Sequence, residues 1–64
     1  MNLKILRIRR KITQSELSEL SGVGINTIVK IEKGYIDSVS VKILKKIAKA
    51  LGSTVQELFF SDEE

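Results

Sequence analysis

The spacing of its apolar residues constrains this chain's fold more than any other feature. Val41, Leu44, Ile47, Ala48 and Leu51 recur at i, i+3, i+6, i+7 and i+10. That period lines one stripe of an α-helix and would scatter the same side chains over both faces of a strand. Similar spacing recurs along most of the chain, no Pro interrupts it, and no β-branched run alternates strictly. The expectation is an all-α fold of five short helices.

Turn and cap residues mark the boundaries. A first helix is predicted from about Asn2 to Arg10, with Leu3, Leu6 and, just beyond it, Ile12 facing inward. Thr13-Gln14-Ser15-Glu16 reads as a capping box opening a second helix, with Leu17 and Leu20 as its buried stripe and Gly22 as its stop. After the tight turn Gly22-Val23-Gly24, a third helix runs from about Ile25 to Lys33, with Ile28 and Ile31 inward. The fourth starts at the N-cap Ser40 and buries Val41, Leu44, Ile47, Ala48 and Leu51. Thr54-Val55-Gln56-Glu57 reads as a second capping box, opening a last helix that ends near Phe59.

Sixty-four residues make one small domain, 1–64, with a limited core that association would reinforce. Regulation is then expected through concentration, oligomerisation, a partner protein or proteolysis. The chain has no Cys and no His, which removes disulfides, thiol nucleophiles, the usual zinc ligands and the commonest general base. No Ser or Thr has a His to activate it, so an enzyme is not expected, nor is a metal or other cofactor. Apolar runs are too short for a membrane span or a signal-peptide core, which makes a soluble cytoplasmic protein the default. Three of the eight acids, Asp62, Glu63 and Glu64, form a frayed tail at 62–64. That leaves five acids against eleven bases in residues 1–61, a net charge of +6. A basic body attracts phosphate-rich partners, although charge alone carries no sequence preference.

From Leu6 to Leu58 the chain resembles the Cro and phage-repressor family of helix-turn-helix domains. The matching residues are Leu6-Arg7, Ile12-Thr13-Gln14, Glu16-Leu17, Gly22-Val23, Thr27-Ile28, Ile31-Glu32-Lys33-Gly34, Leu44, Ile47-Ala48-Lys49-Ala50-Leu51-Gly52 and Glu57-Leu58. The resemblance implies a five-helix, lambda-repressor-like fold and a transcriptional regulator, most often a repressor, that binds a double-stranded operator. Its third helix would lie in the major groove. Base-reading residues would be Gly24, Ile25, Asn26, Val29 and Lys30, with Asn26 suited to adenine and Lys30 to guanine. Gln14, Thr27, Lys33, Gly34 and Tyr35 would hold phosphates. Arg7 and Glu32 would form the salt bridge that sets the third helix's angle.

Three departures from the family pattern stand out. Ile25 replaces a residue that is often polar and able to bond Gln14, which leaves Gln14 to phosphate alone and Ile25 to a thymine methyl. Gly24 stands where Ser or Thr usually caps the third helix. Val39-Ser40 replaces a frequent Pro-Ser, which keeps the cap and loosens the loop.

Two other readings stay open. Lys42, Lys45, Lys46 and Lys49 form a basic stripe that could face an anionic membrane, although few aromatics accompany it. The more serious alternative is a protein-interaction module, such as an antitoxin or the partner of an antirepressor. A homodimer on a palindromic operator is expected, because one helix reads only a few base pairs. Apolar residues beyond the core pattern, Ile36, Val39, Phe59 and Phe60, together with Leu58, which fits the core, are the expected interface. Ile5 and Ile8 are a second apolar pair, which the last helix of the same chain could cover.

Overall fold

Several helix ends fall where a local group satisfies the free backbone. The computed structural model describes residues 3–60; Asn2 and the acidic tail 62–64 lie outside them. Among the described residues the chain is helical with no strand, in the order α1 (Leu3–Arg9), α2 (Gln14–Ser21), α3 (Ile25–Glu32), α4 (Val41–Ala50) and α5 (Gln56–Phe60).

α1 ends in a Schellman turn, in which Lys11 N–H donates to the Ile8 carbonyl at 2.9 Å and Ile12 N–H to Arg7 at 3.1 Å. The left-handed position of that turn is normally glycine. Here it is Lys11, at φ 57°. α2 then opens with the expected capping box. Thr13 Oγ1 accepts from Glu16 N–H at 3.0 Å, and Glu16 Oε1 accepts from Thr13 N–H at 2.8 Å.

Gly22, at φ 74°, turns the chain from α2 into α3, and flanking hydroxyls hold the turn. Ser18 Oγ donates to the Val23 carbonyl at 2.7 Å, and Ser21 Oγ accepts from Val23 N–H at 3.2 Å. Val23 is thereby fixed in the core. α4 begins at Ser40, whose Oγ accepts from Ile43 N–H at 3.3 Å. At its other end the Arg10 guanidinium donates to the Leu51 carbonyl, a cation placed where the helix dipole favours one.

Leu3, Leu17, Val23, Ile28, Ile31, Leu44, Ile47, Ala48, Leu51 and Leu58 form the buried core. α2 packs on both α3 and α4, and α1 packs on α3. Leu6, Ile12, Ile36, Val39, Ile43, Ala50, Val55 and Phe59 pack around this centre.

Four expectations need correction. Leu20 is 62% exposed, because it shares α2's outer face with Glu16, one turn earlier. Val41 is also exposed, since it occupies the first position of α4 on the same side as Lys45. The second capping box is half formed: Thr54 Oγ1 accepts from Glu57 N–H at 3.1 Å, but the Glu57 carboxylate takes the Ser53 hydroxyl at 3.1 Å. The segment that follows, α5, is a π-helical turn reaching Phe60. Finally, Val39 does not loosen its loop. It packs on the core, and its N–H donates to the Ile36 carbonyl at 3.0 Å.

Among the described residues, no helix is long and apolar enough to cross a membrane.

Candidate nucleic-acid interface

α3 divides cleanly into two faces. Ile28 and Ile31 are buried, which fixes the helix against the core and turns the opposite side outward. Asn26, Lys30 and Lys33 lie on that outer side at i, i+4 and i+7 and are exposed, as are Gly24 and Ile25 before them. Thr27 and Val29 flank the stripe half-buried. Neither Asn26 nor Lys30 spends its side chain on a hydrogen bond within the described residues. α3 lacks a side-chain cap at Gly24, and nothing lies within 4 Å of where a Gly24 side chain would begin. The helix therefore meets solvent with an open end, an aliphatic side chain, an amide and two ammonium groups.

A part-buried polar cluster ties this helix to α1 and α2. Arg7 Nε donates to Glu32 Oε2 at 2.7 Å, and a second guanidinium nitrogen donates to Glu32 Oε1 at 3.2 Å. The third reaches the Ile12 carbonyl at 2.8 Å. The two side chains are only 11% and 6% exposed. Such a two-pronged pair fixes geometry as well as charge, because the guanidinium fork matches the carboxylate plane. α1, the turn after it and the last turn of α3 are joined at this one point.

Gln14 completes the cluster, which the sequence reading missed. Its Nε2 donates to Glu32 Oε1 at 3.0 Å, so Gln14 does not serve phosphate alone. The amide missing its partner at Ile25 finds one at Glu32 instead. This bond places the N-terminus of α2 beside the last turn of α3, next to Lys33. Of the first α2 amides, Glu16 N–H is taken by the Thr13 cap and Leu17 N–H by the Thr13 carbonyl. Those of Gln14 and Ser15 stay at the positive end of the helix, which is suited to an anion.

At the far end, Lys33, Gly34 and Tyr35 are exposed. The Gly34 amide is not available to a ligand, since it donates to the Ile31 carbonyl at 2.9 Å. Closure of the α3 terminus consumes it. The described residues contain no cluster of acids that could hold a metal ion.

A family model described as helix-turn-helix matches residues 3–58, which takes in the first four helices and the start of α5. The chain belongs to the Cro and phage-repressor helix-turn-helix family. Among its relatives is an uncharacterized HTH-type transcriptional regulator of Methanocaldococcus jannaschii, 37% identical over 62 residues, covering 97% of this chain and 92% of its own. A protein of the same description from Archaeoglobus fulgidus is 37% identical over 62 residues, covering 97% and 86%. Another, from Methanothermobacter thermautotrophicus, is 39% identical over 64 residues, covering 94% and 91%. All three carry the names of regulators and none that of an enzyme. No solved structure matches the chain.

The residues of the expected association surface differ in how far they are exposed. Leu58 is buried, and Ile36, Val39 and Phe59 are half-buried against their own core. Phe60 alone of that set stands in solvent, 57% exposed. Ile5 and Ile8 are 53% and 55% exposed, so α5 does not cover them.

Proposed function

We propose that this helix-turn-helix protein is a sequence-specific double-stranded DNA-binding transcriptional regulator, acting as a repressor in the cytoplasm. In this reading residues 1–64 work as one DNA-binding domain and α3 enters the major groove. Gly24, Ile25, Asn26, Val29 and Lys30 face the bases. Gln14, Thr27, Lys33 and Tyr35, with the first amides of α2, grip the phosphates on either side. Gly34 contributes the turn that presents Lys33 and Tyr35.

One observation carries the reading. The outer face of α3 offers an unspent amide and unspent ammonium groups on a helix whose angle is locked by the Arg7–Glu32–Gln14 cluster. A protein that reads bases must hold its donors in a fixed frame, since base edges are distinguished by hydrogen-bond geometry. The Asn26 amide matches the N6 and N7 edge of adenine, Lys30 matches the acceptors of guanine, and Ile25 suits a thymine methyl. A homodimer on a palindromic operator follows from the short reach of one helix, with half-sites about 34 Å apart.

Selection of bound sites from random duplex DNA tests this. The expected result is an enriched, two-fold-related motif. A protein that enriches no motif and co-purifies with a tight protein partner would support the interaction-module reading instead.

A further inference from the structure

The densest cluster of positive charge lies away from the outer side of α3. α4 carries Lys42, Lys45, Lys46 and Lys49 and no acid, against Lys30 and Lys33 on the α3 side. All four α4 lysines are exposed, and no acid pairs with any of them among the described residues. Leu44, Ile47 and Ala48 hold the opposite side of α4 in the core, so the lysines share one outward arc. Arg10, whose guanidinium reaches the Leu51 carbonyl, adds a further charge at the C-terminal end of this ridge. Lys42 faces Lys45 and Lys46, and Lys49 faces the same two, at i,i+3 and i,i+4. Such like-charge pairs disfavour the helix, and a bound polyanion would relieve them.

The chemistry of the ridge selects its ligand. α4 has no aromatic residue to anchor a protein partner or to enter a bilayer. Its lysines span about 10 Å of helix, a length over which a duplex carries roughly six charges. α2 packs on both α3 and α4, and these two helices bury their apolar sides in the same core. Their cationic faces therefore look outward in different directions, and a duplex seated on α3 leaves the α4 ridge free.

We propose that the α4 ridge holds the phosphate backbone of a second DNA duplex, without sequence preference. A protein bound to its operator through α3 thereby tethers another stretch of DNA. The bridging rests on the reading of α3 given above.

Capture of a labelled duplex of unrelated sequence by protein on a bead-held operator tests this. The wild type is expected to capture it. With four phosphates neutralised the slope of log K against log salt is about −3.6, so affinity for the second duplex falls roughly a hundredfold between about 50 and 200 mM salt. Lys42→Gln/Lys45→Gln/Lys46→Gln/Lys49→Gln should lose capture while keeping its fold by circular dichroism and its affinity for a single operator. Lys4→Gln/Arg9→Gln/Lys11→Gln removes charge at other exposed positions and should leave capture in place. Asn26→Ala/Lys30→Ala/Lys33→Ala should lose operator preference and still bind the unrelated duplex through α4. Capture that survives the four glutamines, or that falls equally in the Lys4/Arg9/Lys11 variant, overturns the proposal. So does a parallel loss of capture and single-operator affinity, because the lysines then grip the same duplex as α3. A wild type that captures no duplex but binds phosphatidylserine vesicles through these lysines shows a lipid ligand instead. A wild type that selects no operator motif refutes the reading of α3, while the three-alanine protein still reports on α4 alone.

Discussion

Removing Arg7 should unfold this protein more readily than almost any other surface-rooted change. The pair with Glu32 is bidentate, and its two side chains are 11% and 6% exposed. Arg7→Met keeps the aliphatic stem but strands the Glu32 carboxylate with Gln14 as its remaining donor, and it leaves the Ile12 carbonyl without the guanidinium. Breaking one side of a buried pair costs about 3–5 kcal/mol. For a domain of this size each kcal/mol lowers the melting temperature by roughly 4–8 °C, so even the low end means about 12 °C or more. Arg7→Met/Glu32→Leu removes both charges. It should recover most of the loss, because an apolar pair of similar volume is often neutral relative to a buried ion pair. Thermal melts by circular dichroism read the wild type, Arg7→Met, Glu32→Leu and the double variant, and this cycle should show strong coupling. DNA affinity should fall in Arg7→Met and in the double variant, since each releases the angle of α3. A melting temperature within about 4 °C of wild type for Arg7→Met, less than the effect of 1 kcal/mol, would refute the argument. Weakened DNA binding in that same protein would make Arg7 a phosphate contact.

Lys11→Gly should stabilise the fold by up to about 1 kcal/mol, because it relieves a left-handed lysine in the turn after α1; an unchanged or lower midpoint in urea would contradict this. Ser40→Ala should cost about 1 kcal/mol through loss of the α4 cap, again read by denaturation. If about five phosphates are neutralised, log K should fall against log salt with a slope near −4 to −5. Lys33→Ala should make that slope shallower by about 1 while weakening all sequences alike. A slope unchanged in Lys33→Ala would remove Lys33 from the phosphate set.

Much of this fold was legible in sequence because its helix ends are chemically marked. Thr13-Gln14-Ser15-Glu16 names the start of α2, Gly22 its stop and Ser40 the start of α4, and each is found in that role. Burial was harder to read. Spacing gives the angle of a side chain around a helix but not whether another element covers it. Leu20 and Val41 sit at helical intervals from Leu17 and Leu44, yet they share a face with Glu16 and Lys45. Those charged neighbours were the available signal. The polar contacts of Gln14 and Arg10 join residues distant in sequence, and no local pattern encodes them. Lys11 hides its left-handed turn because the residue type argues against it. At the interface, the face of α3 followed from Ile28 and Ile31 alone, whereas the closure that uses the Gly34 amide required the folded turn.

If the first turns of α3 read base sequence, Asn26 is their sharpest probe. The measurement is the base preference at every position of the selected operator, compared between wild type and Asn26→Ala. One base pair in each half-site is expected to lose about 1–3 kcal/mol of discrimination, with an adenine favoured there by the wild type. Preference elsewhere stays as it was, and so does the salt slope. An Asn26→Ala protein with the same preference at every position would contradict base reading by α3.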